Sequence, residues 1–117
     1  MRKQMLAAAG VVLALALPSA QGDLQAQAKA QVEFGIAVAQ RGLWKEALYR
    51  WERAVKLDPA YAAAWNNLGI AYEHEGMFDK AREAYEKALD LDPDNAMIQQ
   101  NYDLFREIND RANQSNR

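Results

Sequence analysis

Residues 62–95 read AAAWNNLGIAYEHEGMFDKAREAYEKALDLDPDN, and residues 28–61 read AKAQVEFGIAVAQRGLWKEALYRWERAVKLDPAY. Set one above the other, the two segments align without a gap over 34 columns, 12 of them identical. Gly35 meets Gly69, Ile36 meets Ile70, Ala37 meets Ala71, Gly42 meets Gly76, Ala47 meets Ala81 and Ala54 meets Ala88. Both copies close on Leu-Asp-Pro, at 57–59 and 91–93. Self-similarity at this period marks a repeat architecture, in which units that cannot bury their apolar faces alone stack on their neighbours.

Each copy reads as two helices. The predicted first helices span 28–41 and 62–75, and the second 45–57 and 79–91. Gly42 and Gly76 separate them, because glycine readily takes the left-handed conformation that ends a helix. Pro59 and Pro93 stop the second helices, since a residue before proline is pushed out of the α region. Leu, Tyr, Trp and Ala recur at three- and four-residue steps, giving each helix an apolar stripe. Glu52–Lys56 and Glu83–Lys87 lie one turn apart in the favourable order and support exposed helix faces. Alanine-rich composition and the lack of alternating β-branched runs extend the helical expectation to nearly the whole chain.

The second copy carries Trp65-x-x-Leu68-Gly69-x-x-Tyr72, then Ala81, Tyr85, Ala88 and Pro93. In residue type and spacing it resembles a tetratricopeptide repeat. The first copy departs from the pattern at Gln31 and Val38, where that family prefers aromatics, and keeps Phe34, Gly35, Ala47, Trp51, Ala54 and Pro59. The resemblance implies an all-α fold: antiparallel helix-turn-helix repeats in a right-handed α-solenoid, with 28–61 as the first unit and 62–95 as the second. In physical terms the small residues Gly35, Gly69, Ala47 and Ala81 let helices approach. Trp51, Tyr72 and Tyr85 fill the space between them. These aromatics read as core.

Beyond Pro93, Asp94 and Asn95 are good N-caps. Residues 96–110 then align with the first helix of a third copy, with Asp103 in place of the glycine and Tyr102 in the column of Leu68. The expectation is a C-terminal capping helix over 96–110, followed by a flexible tail, 111–117.

At the other end, Arg2 and Lys3 precede an apolar run, residues 5–17, and then Pro18, Ser19, Ala20, Gln21 and Gly22. A basic start, a short apolar centre and small residues at a cut make a secretory signal peptide. As a helix the run would reach roughly 20 Å, short of the roughly 30 Å hydrocarbon core. Residues 1–22 are therefore expected to be a cleaved leader. Residues 23–27 are expected to form a linker or helix extension. Removal of Arg2 and Lys3 leaves a net charge of −4. That charge gives no reason to bind an anionic membrane, and no stable span remains. An exported chain, periplasmic or secreted, follows as the expected location.

Composition excludes several chemistries. The chain has no cysteine and a single histidine, which removes thiol chemistry and His- or Cys-rich metal sites. No basic block exists to hold nucleic acid. No nucleophile–base pair, phosphate loop or cofactor motif is present, so neither catalysis, a metal nor a cofactor is expected. His74 lies between Glu73 and Glu75, but neighbours at one-residue steps do not face each other on a helix. It reads as a surface side chain.

Function is expected from a surface. In the family that the repeats resemble, the first helix of each pair lines a concave face that commonly holds a segment of a protein partner. Register then places Lys29, Val32, Ile36 and Gln40 from the first copy in that groove. The second copy adds Asn66, Asn67, Ile70, Glu73 and His74, and the cap adds Met97, Gln100, Asn101 and Leu104. The site residues taken forward are Val32, Ile36, Gln40, Asn66, Asn67, Ile70, Glu73 and Leu104. One branch of the family grips chaperone carboxylates with lysines, asparagines and an arginine. Here Asn67 fits the central asparagine, but Val32, Ile36, Met97 and Asn101 occupy the other places, so that cationic clamp is missing. The expected role is a non-catalytic scaffold of the cell envelope that binds a protein or peptide. The alternative is a self-associating homo-oligomeric subunit, since two repeats and a cap fall below the three that stable solenoids usually need.

Overall fold

A computed structural model describes residues 19–117. The expected leader therefore lies outside the described residues, except for its last four positions. Five α-helices follow one another: α1 (Ala20–Gln40), α2 (Trp44–Leu57), α3 (Ala62–His74), α4 (Phe78–Leu91) and α5 (Ala96–Ser115). No strand occurs among the described residues. Each helix packs on the next, α1 on α2, α2 on α3, α3 on α4 and α4 on α5. The result is an all-α solenoid of helix-turn-helix units.

The turns within the units follow from the two glycines. Gly42 and Gly76 have φ of 77° and 71°. The amide of Gly42 donates to the Ala39 carbonyl (2.8 Å) and that of Leu43 to Val38 (3.0 Å). The second unit repeats this pair, with Gly76 donating to Glu73 and Met77 to Tyr72. This is a Schellman closure, which satisfies carbonyls that a helix end leaves open. Between units the closure differs. Asp58 accepts from the Ala60 amide through its side chain (3.2 Å) and from the Tyr61 amide through its carbonyl (3.1 Å). Trp65 Nε1 then donates to the Pro59 carbonyl at 2.8 Å, fixing α3 to the turn before it.

Close approach decides the packing inside each unit. A Cβ on Gly35 would lie 2.7 Å from Trp51 Cδ1, and one on Gly69 would lie 2.7 Å from Tyr85 Cε1. Each ring therefore occupies the space that a side chain at the partner helix's glycine would need. Trp51 Nε1 donates to the Val32 carbonyl (3.1 Å), and the Tyr85 hydroxyl donates to the Glu73 carboxylate. One core joins the two units through Val32, Val38, Ala47, Trp51, Ala54, Ala64, Leu68, Ala71 and Ala84. A second, of Ala81, Tyr85 and Phe105, fastens α5 to α4.

At the N-terminal end the structure takes the helix-extension reading, and at the C-terminal end it departs from the sequence expectation. Helix α1 starts at Ala20, capped by the Ser19 hydroxyl on the Gly22 amide (3.0 Å). Residues 23–27 are thus helix, continuous with the first repeat. At the other end α5 runs to Ser115, past the expected boundary at 110. Arg111 pairs with Glu107 at 2.5 Å, and the Ser115 hydroxyl donates to the Arg111 carbonyl, so one-turn side-chain contacts carry the helix on. The cap itself forms as Asn95 suggests: its side chain accepts from the amides of Met97 and Ile98.

The glycine–ring contact sets a prediction. Gly69→Ala adds helix propensity worth about 1 kcal/mol, but drives a methyl group into a buried ring, which costs typically about 1–3 kcal/mol. A net loss of stability is expected on urea unfolding, and a Tyr85→Leu background should remove part of it. Unchanged or raised stability in Gly69→Ala would show that the ring has room to move.

Candidate functional site

The expected groove residues fall on first helices, α1, α3 and α5, at repeating register positions. The structure separates them into two groups. Val32 is only 4% exposed and belongs to the core, where its carbonyl takes the Trp51 indole. Asn66 is 2% exposed, and its side-chain oxygen accepts from Asn101 Nδ2 at 3.2 Å. Neither is open to a partner. Both face the neighbouring helix because this register position points along the stack rather than out of it. Their role is to join helices: Asn66 links α3 to α5 through a buried polar pair that leaves no unsatisfied atom.

The rest of the set remains accessible. Ile36, Ile70 and Leu104 occupy one register row across α1, α3 and α5. Ile36 and Leu104 are exposed, and Ile70 is half-buried against the Tyr85–Phe105 cluster. Met97 and Ile108, also on α5, are each 58% exposed, so the apolar surface extends along the cap. Asn67 is half-buried and Gln40 exposed. Glu73 is half-buried and holds the Tyr85 hydroxyl.

That pair has an electrostatic consequence. Burial pushes the Tyr85 hydroxyl far above the ordinary tyrosine value, and its hydrogen bond to Glu73 pushes it further. The tyrosine stays a donor and Glu73 keeps its oriented acceptor. A second pair couples the repeats: Tyr72 on α3 donates to Glu52 on α2 at 3.1 Å. Burial, with the charge and hydrogen bond of Glu52, raises Tyr72 to about 12.

Sequence reasoning missed one contact. His74 is exposed, yet its ring stacks on Trp44 with centroids 3.6 Å apart and planes 8° apart. The end of α3 is thereby pressed against the start of α2. Thirty residues separate the two rings in sequence, and no spacing rule joins them. Beside this stack a shallow cleft is lined by Gly42, Leu43, Trp44, Lys45, Glu46 and Glu75. A second lies on α5 between Ala96, Gln99, Gln100, Asp103, Leu104 and Glu107. Among the described residues no group of acidic and histidine side chains is arranged to hold a metal. Nor is any helix there long and apolar enough to cross a membrane.

Comparison with known proteins bears on this geometry. A family model described as tetratricopeptide repeat matches residues 62–95, and one described as TPR repeat matches residues 35–76. The chain belongs to the tetratricopeptide-repeat family. Among solved structures, the TPR domain of Arabidopsis OM64 superposes with a TM-score of 0.70. The match is 24% identical and covers 75% of this chain and 73% of that one, which is a likeness of fold. No curated protein matches the chain. Tetratricopeptide repeats generally mediate protein–protein interaction and are typically non-catalytic.

The two tyrosine pairs predict alkaline sensitivity. Their folded-state values lie above the ordinary 10.0, so the stability they contribute is complete below pH 10. It is lost as pH rises, through about 12 for Tyr72 and higher still for Tyr85. Urea midpoints should fall between pH 9 and pH 11. The drop should shrink in Tyr72→Phe and Tyr85→Phe; an equal drop in both variants would assign the loss elsewhere.

Proposed function

We propose that this protein is a non-catalytic scaffold of the cell envelope that holds a segment of a protein partner in the groove of α1, α3 and α5. The observation that carries this reading is the row of Ile36, Ile70 and Leu104. Ile36 and Leu104 stand open, and Ile70 between them is half-buried, on the face where the buried neighbours Val32 and Asn66 already join the helices. The exposed parts of Ile36 and Leu104 pack against nothing within the solenoid, and apolar surface of this kind commonly marks a contact. Residues 23–31 do not cover it, because they continue α1 instead of folding back.

Export rests on residues 1–22, whose basic start, apolar centre and small residues suit a cleaved leader. Self-association is the second reading, and one observation favours it. Phe34 is 47% exposed, whereas Leu68, its register equivalent, is 1% exposed under the preceding unit. The open face of the first repeat thus resembles a surface waiting for another helix.

Three measurements test these readings. Affinity capture from envelope extract should recover a partner that Ile36→Glu and Ile70→Glu each release; if both variants fold and retain every partner, the groove is not the site. Mass spectrometry of the protein from an envelope fraction should give an N-terminus at Asp23, and an intact N-terminus in the cytoplasm would contradict export. Light scattering at micromolar concentration separates the second reading, because a stable monomer sinks an obligate oligomer.

A further inference from the structure

We propose that the groove selects a segment in which lysine or arginine alternates with aliphatic residues. This rests on the groove reading above and adds the chemistry of the occupant. The row of Ile36, Ile70 and Leu104 supplies the apolar half. Carboxylates flank it on both sides. Three register positions before Ile36 stands Glu33, exposed, and three after Ile70 stands Glu73. An extended occupant crossing the helices would turn every second side chain down onto the apolar row and leave the side chains between them to reach the carboxylates at its margins.

Four arginines of the described chain are engaged elsewhere. Arg50 pairs with Glu46 at 2.9 Å and lies over Phe34, and Arg106 pairs with Asp103 at 3.0 Å. Arg82 lies near Asp110, and Arg111 holds Glu107, the equivalent of Glu73 on α5. Glu33 and Glu73 have no ion-pair partner among the described residues. Lys29 lies one turn from Glu33 on α1 and offsets part of its charge, but ten register positions separate its row from that of Glu73, the acceptor that carries the preference. That is about 15 Å along a helix, at the opposite edge of the groove. The acceptor at Glu73 is also pre-oriented, because the buried Tyr85 ring cannot swing away and its hydroxyl fixes the carboxylate. A fixed acceptor loses less on binding than a free one, and an ionised pair with lysine or arginine is the strong form of hydrogen bond. An acidic segment would meet like charge at Glu33 and Glu73.

The test is selection of short random peptides displayed on phage against the purified protein. Selected peptides should interleave lysine or arginine with Leu, Ile, Val or Met. Replacing their cations with Gln should weaken binding at least tenfold, and added salt should weaken it in the same direction. In a Glu33→Gln/Glu73→Gln variant that dependence on the cation should vanish while the apolar contribution persists. Neutral or acidic peptides, an unchanged cation dependence in the variant, or no selected peptide would each overturn the inference. An Ile36→Ser/Ile70→Ser variant separates the two levels. If it binds the selected peptides unchanged, the groove reading itself fails. If it loses them but no basic preference was seen, only the charge inference fails.

Discussion

The contact between a ring and a bare backbone holds this solenoid in shape. At Gly35 and at Gly69 the second helix of a unit lays an aromatic ring where a Cβ would otherwise stand. The helices then come close enough for the small residues Ala47, Ala54, Ala81 and Ala88 to be fully buried, all at 0% exposure. Everything further along depends on that spacing. The inter-unit core around Leu68 and Ala84 exists because α2 and α3 are already set at the right distance. Dispersion falls steeply with separation, so a methyl group in the wrong place weakens contacts well beyond its own.

How this framework stops is as informative as how it repeats. On α5, Gln99, Asp103 and Arg106 stand where the second repeat has Trp65, Gly69 and Tyr72. Asp103 accepts from Gln99 at 2.9 Å and pairs with Arg106. A face that would receive a ring has become a hydrogen-bonded polar surface, and only the face toward α4 keeps Ile98, Tyr102 and Phe105. The first repeat is finished differently. Arg50 takes the register position of the buried Ala84 and lays its guanidinium 4.0 Å above the Phe34 ring. A long amphipathic side chain covers apolar surface while its charged head stays wet. It covers Phe34 only in part, which is why that end retains an apolar edge.

Most of the fold was legible because its determinants are local. Glycine at the turns, proline after the second helices and the 34-residue period each act through backbone conformation or nearest-neighbour packing, and sequence shows them directly. The ends were less legible: continuation of α1 back to Ala20 and of α5 to Ser115 depends on caps and one-turn side-chain pairs, each worth little alone. The site was legible only in its register. Family register placed Val32 and Asn66 in the groove alongside Ile36 and Ile70. What divides them is a few tens of degrees of rotation about the helix axis, which decides whether a side chain points along the stack or out of it. The stack of Trp44 on His74 carries no signal of spacing at all, since it depends on where the end of one helix meets the start of another.

Tyr85 ties the two themes together. Its ring is the part that Gly69 admits, and its hydroxyl is the part that positions Glu73 on the open face. The register equivalent in the first unit, Trp51, makes the same ring contact but turns its donor inward, to the Val32 carbonyl. Its unit has Ala39 in the column of Glu73, with no carboxylate to receive a donor there. The ring is therefore constrained by packing in both units, whereas the polar group it carries is free to differ. In the first unit that group serves only the fold. In the second, a residue selected by the interior reaches the groove and sets the direction of its charge, so the chemistry of the surface is anchored in the core rather than added to it.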